Sequence, residues 1–228
     1  MERLGTNYGG WYVPKNMELN ENSIIYSGGV GEDISFDIKK QKKYKCNIFL
    51  IDPTEKGLIH FNEVQEYYKN GKQFLGNIQK DYIQSIQNNK PDFSKFYYFN
   101  IGLWNCHDKL KFYKQNNKNY VSQSLIENMF TQEYDEVNVT TIKSLMEEKK
   151  HKTIDLLKLD IEGAEIEVIQ QMLDDEIFPK YILIEFDLFL KKKDPGNKKT
   201  NDLISRLLSL NYIILINDNY NITFYRNY

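Results

Sequence analysis

The sequence predicts an α/β fold, a mostly parallel sheet with helices on both faces and a C-terminal antiparallel hairpin. Three observations carry that prediction. Leu156-Leu157-Lys158-Leu159 is a short apolar run that stops at Asp160, with Glu162 and Gly163 just behind it. Tyr181-Ile182-Leu183-Ile184 repeats the pattern and stops at Glu185. Ser23-Ile24-Ile25-Tyr26 runs into Ser27-Gly28-Gly29-Val30-Gly31, and a helical pattern follows. Strands apolar along their whole length are buried on both faces, as parallel strands are. Acids and glycines at their ends sit where open α/β sheets bind ligands.

The elements follow in order. After the first strand and its glycine loop, Ile34 and Ile38 mark a helix by their four-residue spacing. Cys46 to Ile51 is the second strand, ending at Asp52-Pro53. Residues 57 to 89 read as largely helical with a break near Gly71 or Gly76. Phe96 to Trp104 is the third strand. Lys109 to Tyr113 and Tyr120 to Ser124 form an antiparallel pair around Asn116-Asn117. Val137 to Thr141 leads into a helix that runs through Lys149, and Thr153 to Leu159 is the fourth strand. The helix behind it carries Ala164, Val168, Ile169, Met172 and Leu173 on one face. The fifth strand ends at Glu185. A helix capped by Thr200 or Asn201 then carries Leu203, Ile204, Leu207, Leu208 and Leu210. Tyr212 to Ile216 and Ile222 to Tyr225 close the chain as a hairpin. Alternating strands and helices imply right-handed crossovers. No repeat or linker divides the chain, so residues 1–228 read as one domain, with residues 1–22 an N-terminal extension packed on it.

Composition narrows the function. Thirty basic residues nearly balance 32 acidic ones, and the net charge of −2 argues against binding driven by the charge of nucleic acid or a membrane surface. Cys46 and Cys106 lie in apolar contexts without metal-site spacing and read as buried free thiols in a reducing compartment. There is no apolar signal region, and no apolar run approaches the ~20 residues of a membrane span. The expectation is a soluble, cytoplasmic protein; its oligomeric state is not legible.

Four sites carry chemistry. Ser27 to Asp33 places glycines between strand and helix, letting backbone approach a ligand, though the glycines could also serve only a tight turn. The loop lacks the full dinucleotide spacing. Glu32 and Asp33 would repel phosphate there and favour an ammonium group, which tilts the ligand toward S-adenosylmethionine. Asp52 follows the loop by ~20 residues, where a carboxylate can take both ribose hydroxyls; the plain alternative is a loop carboxylate capping a helix. Asp160 and Glu162 would share a face if the strand continued through position 162, or else cap the next helix. Glu165 fits capping better than Asp160 does. Glu185 could act as a general base or orient a hydroxyl, or be an exposed strand-end charge. His60, His107 and His151 lack metal-pair spacing and read as surface histidines, with acid–base work the alternative for His60 and His107.

Leu157-Lys158-Leu159-Asp160-Ile161-Glu162-Gly163-Ala164-Glu165 resembles the signature of the FkbM-type methyltransferases. Val139 to Leu145 and Ile184-Glu185 are similar to flanking motifs of that family, and Gly9-Gly10-Trp11, Gly31 to Asp37, Asp52-Pro53-Thr54, Phe112-Tyr113 and Val121 to Ser124 resemble a subgroup of it. The resemblance implies a Rossmann-like, seven-stranded class I fold whose last strand runs antiparallel. It also implies methyl transfer from S-adenosylmethionine to a hydroxyl of a sugar, glycan or small metabolite. Gly28, Gly29 and Gly31 would line the cofactor with Asp33, Asp52 would bind its ribose, and Asp160 and Glu162 would lie beside the methionine moiety or acceptor. Asp160, Glu162 and Glu185 are the candidate catalytic residues. One departure stands out: Tyr26-Ser27 occupies the place where an acid often ends the first strand, so Glu32, Asp33 or Asp160 would have to meet the cofactor's ammonium. A divalent metal is compatible with clustered carboxylates but not required. The alternatives are a non-catalytic binding module on the same fold and, with less support, a nicotinamide oxidoreductase. Acceptor specificity should lie in residues 57 to 95, 104 to 135 and 187 to 200.

Overall fold

The structure is a computed structural model that describes residues 1–76, 78–114, 123–127, 131–190 and 192–227. Contacts divide the chain into two units, Met1–Asn100 and Ile101–Tyr228.

The first unit opens with a hairpin of β1 (Glu2–Leu4) and β2 (Trp11–Val13). Next come β3 (Ile24–Gly28), α1 (Ser35–Tyr44), β4 (Asn47–Ile51), α2 (Glu55–Asn70), α3 (Tyr82–Ile86) and β5 (Phe96–Phe99). β3 pairs with β4 and β4 with β5, both in parallel. Ile25, Ile48 and Leu50 are fully buried, as strands covered on both faces require. Ile34 and Ile38 are also fully buried, in accord with their spacing. Thr54 caps α2 by accepting the Gly57 N–H, and the helix stops at Gly71, where a break was expected.

The second unit holds two sheets. In the smaller one, β6 (Gly102–Leu103), β9 (Tyr134–Thr140), β7 (Asp108–Lys114) and β8 (Gln123–Ser124) lie side by side in that order. The predicted pairing of β7 with β8 is antiparallel, as expected. The Asn116-Asn117 turn, with Val121-Ser122, lies outside the described residues. α4 (Ile142–Lys149) follows, then β10 (Leu156–Leu159), α5 (Glu165–Asp174), β11 (Tyr181–Glu185), α6 (Asp187–Leu190), α7 (Lys198–Ser209), β12 (Tyr212–Asp218) and β13 (Asn221–Arg226). β10 and β11 are parallel, whereas β13 is antiparallel to both β11 and β12. The fold is thus mixed α/β, with antiparallel pairs at the C-terminus, where the hairpin was expected, and also in the N-terminal hairpin and the smaller sheet.

Three expectations need correcting. The run Phe96 to Trp104 is two strands in different sheets, broken after Phe99. A continuous apolar run carries no mark where its pairing partner changes. β9 starts at Tyr134, and its first five residues are exposed or only half-buried. Sheet pairing with β7 makes that segment a strand, with no apolar alternation to announce it. α7 is held not by Thr200 or Asn201 but by Asp194, whose carboxylate accepts the N–H groups of Lys199 (3.1 Å) and Thr200 (2.9 Å).

Candidate functional site

The glycine loop leaves β3 with two residues in the left-handed region, Gly29 at φ 80° and Gly31 at φ 53°. Side chains with a Cβ rarely adopt these angles, so the loop's path depends on glycine. The Val30 and Gly31 amides both donate to one oxygen of Asp52, at 2.8 and 2.9 Å. The other oxygen accepts the N–H and hydroxyl of Thr54, at 2.7 and 2.5 Å. Asp52 is buried at the end of β4, and its own N–H donates to Phe99 O at 3.1 Å.

Asp33 is committed elsewhere. One carboxylate oxygen accepts the Thr6 hydroxyl at 2.5 Å and the other the Ser35 N–H at 2.8 Å. The Thr6 N–H donates to Ser35 Oγ (2.8 Å), and the Asn7 N–H to Asp81 (2.8 Å). The hairpin turn is therefore fastened to the segment that follows the loop. Burial, the larger cause, raises the Glu32 pKa, and Lys56 opposes it. Ser27, the last side chain before the glycines, is fully buried, and its hydroxyl has no partner among the described residues.

In the second unit, Asp160, Glu185 and Asp187 each bring a carboxylate oxygen within 4.8 Å of the others. The ends of β10 and β11 deliver the first two, and α6 begins at the third. Burial pushes Glu185 up to about 9, with the charges of Asp160 and Asp187 adding to the effect. Three carboxylates this close do not all ionise at little cost, so the group retains a proton at neutral pH. Lys158, buried within β10, places its ammonium 3.9 Å from Asp160. Oxygen donors alone suit a hard divalent cation in kind.

Glu162 does not share a strand face with Asp160. β10 stops at Leu159, and Glu162 (φ 58°) and Gly163 (φ 105°) turn the chain instead. The Glu162 carbonyl accepts the Ser124 hydroxyl at 2.5 Å, which ties the β8 end to the turn. Glu165 supports the same turn from inside: it is buried and accepts the N–H groups of Ile161 (2.9 Å) and Gly163 (3.1 Å). Burial raises its pKa well above the ordinary value, and Asp187 adds to this. Beside the turn lies a cleft of about 170 Å³ whose walls include Ile126, Gly163, Ile166, Leu188, Lys193 and Lys199. It draws residues from two of the segments expected to hold specificity, 104 to 135 and 187 to 200.

The model of the methyltransferase FkbM domain matches residues 19–214. The chain belongs to the FkbM methyltransferase family. The FkbM match spans the glycine loop, Asp52, the Asp160 turn and Glu185, and it runs through both units. No curated protein matches the sequence at a significant level. Among solved structures, that of an rRNA methylase from Streptococcus thermophilus is similar, with a TM-score of 0.43 and 10% identity over 92% of this chain and 90% of that one. A likeness that loose bears on neither reaction nor acceptor.

Sequence reasoning missed Asp187 in this FkbM domain, because it lies two residues past Glu185, the strand end that drew attention. It also misplaced two other side chains. His60 is buried rather than exposed, paired through Nε2 with Tyr82 Oη at 2.8 Å, and burial lowers its pKa to about 4. Of the two free cysteines, Cys46 is buried as expected, but Cys106 is exposed. Among the described residues no helix is long and apolar enough to cross a membrane.

Proposed function

We propose that this FkbM domain is an O-methyltransferase that uses S-adenosylmethionine and acts on a hydroxyl of a sugar, glycan or small metabolite. The observation that carries the reading is the family match, which takes in both the glycine loop and the acidic turn. The loop fits an adenosyl ligand without phosphate: its backbone is bare of side chains at Gly28 and Gly29, and the Val30 and Gly31 amides that would attract phosphate already face Asp52. The cofactor would supply a methyl group on a good leaving group, so the protein has to place the acceptor oxygen in line and remove its proton.

Asp160 is the member of the cluster given the proton-accepting role. It is half-buried, with the Lys158 ammonium beside it. Glu185 holds its own proton at neutral pH and can donate a hydrogen bond to the acceptor or to Asp160. In the transfer Asp160 would take the acceptor's O–H proton while the oxygen takes the methyl group that the bound cofactor would supply, leaving S-adenosylhomocysteine. Glu162 contributes backbone geometry at the turn. The binding step is tested by calorimetry with S-adenosylhomocysteine. Saturable binding is expected, and none at millimolar ligand removes the proposal. The transfer step is tested with labelled S-adenosylmethionine across a panel of sugars and polyols. Label should appear in at least one acceptor, and binding without turnover on the whole panel would favour a non-catalytic module.

A further inference from the structure

Consecutive backbone N–H groups that converge on one anion form a nest, the device by which glycine loops hold phosphates. Here the chain supplies the anion itself: Val30 N–H and Gly31 N–H meet a single oxygen of Asp52 at 2.8 and 2.9 Å. The second oxygen takes the Thr54 N–H (2.7 Å) and the Thr54 hydroxyl (2.5 Å). A carboxylate offers about four lone-pair positions, and these four donors occupy them. Thr54 Oγ1 in turn accepts the Gly57 N–H at 3.1 Å, so one run of hydrogen bonds joins the loop to the first turn of α2. Asp52 as a whole is only 4% exposed.

We infer that Asp52 is a positioning residue: it fills the anion nest of the glycine loop, sets the loop's shape and has no oxygen left for the ribose of the cofactor. The inference rests on the adenosyl-cofactor reading only for its ligand arm. It departs from the role that its place after β4 suggests, in which the same oxygens would hold the two ribose hydroxyls. A carboxylate already in the nest also explains how the loop selects a ligand. A nucleotide with a pyrophosphate would meet an anion where it needs free amides, whereas a phosphate-free adenosyl compound would not.

A thermodynamic cycle separates the two roles. S-adenosylhomocysteine and its 2′-deoxy analogue are titrated into the wild-type chain and into Asp52→Asn. If Asp52 shapes the loop, the variant binds both ligands more weakly and the ratio of their Kd values stays the same within about twofold, the usual additivity of independent sites. A ratio that shrinks about fivefold or more in the variant shows that Asp52 touches the ribose and overturns the inference. Asp52→Ala should bind more weakly than Asp52→Asn, because asparagine keeps one acceptor for the loop amides. Equal losses count against the inference.

Amide hydrogen exchange on the wild-type chain needs no variant to fold. Val30 and Gly31 should be protected without ligand and stay protected when S-adenosylhomocysteine is bound. Fast exchange without ligand, or loss of protection on binding, overturns the inference. If the wild-type chain binds no S-adenosylhomocysteine, the cofactor reading falls, while exchange without ligand still decides whether Asp52 holds the loop.

Discussion

Two ionisable groups, the half-buried Glu185 and the fully buried Lys40, make opposite demands on pH. The Glu185 carboxyl, raised from 4.5 to about 9 chiefly by burial, keeps its proton in the folded chain. Its stabilising contribution is full below the unfolded pKa and is lost as pH rises toward 9. Glu185→Gln mimics the protonated form, so the variant should match the wild type near pH 5 and exceed its Tm near pH 9. A wild type as stable as the variant at both pH values would contradict this. Lys40 in α1 is fully buried with its ammonium 2.8 Å from Met17 Sδ and over the rings of Phe36 and Tyr44. Burial lowers its pKa to about 7; Lys43 acts in the same direction, while Cys46, Glu2 and Asp37 oppose it. The folded state then holds fewer protons than the unfolded one, and this deficit in stability fades as pH climbs from about 7 toward 10.5. Lys40→Met should stabilise the chain at pH 7 by at least about 1 kcal/mol, because an apolar side chain of similar length needs no desolvation. Urea denaturation at pH 7 and 10 measures it, and the gain should shrink at the higher pH.

At the scale of elements, the N-terminal hairpin shows how backbone proximity constrains a sequence. A Cβ on Gly10 would lie 2.3 Å from Thr6 O and 2.7 Å from Leu4 O, and both are backbone atoms that cannot yield alone. Gly10→Ala should therefore part β1 from β2 and cost more than about 2 kcal/mol, read as a fall in the urea midpoint. The same turn carries the Thr6 hydroxyl to Asp33, so the variant should also loosen the segment after the glycine loop. Nothing in the spacing of residues 1 to 13 marks a hairpin, since three-residue strands carry too little pattern. Helix α5 is the opposite case. The face expected from Ala164, Val168, Ile169, Met172 and Leu173 is buried throughout, because a 3.6-residue period against one core is a local property of sequence.

For the whole molecule, ligand linkage is the simplest check on the FkbM assignment. A ligand that binds only the folded state stabilises it by about 2.7 kcal/mol at a hundredfold excess over Kd. For a chain of this size that corresponds to a rise in Tm of roughly 5–10 °C. S-adenosylhomocysteine should produce such a rise in a thermal melt, and NADH should produce none. A rise with NADH alone would turn the reading toward an oxidoreductase.

The order of parallel strands, the glycine loop, the acids at the ends of β10 and β11 and the closing hairpin were all legible in the sequence. Each is written in a local code: burial on both strand faces, glycine at positive φ, a charge where an apolar run stops. What each acid does was not legible. Asp33 and Asp52 looked free to meet a ligand, yet tertiary structure gives the first to Thr6 and Ser35 and the second to Val30, Gly31 and Thr54. Asp160 and Glu162 looked alike, yet a left-handed residue at 162 turns the chain, and the carboxylates clustered with Asp160 come from β11 and α6. A carboxylate's role depends on which donors and charges surround it, and the deciding ones here, such as Thr6 for Asp33 and Val30 and Gly31 for Asp52, arrive from residues distant in sequence. For that reason the sequence determined the family and the ends of the strands, while only the folded chain decided which acids hold the loop and which cluster together.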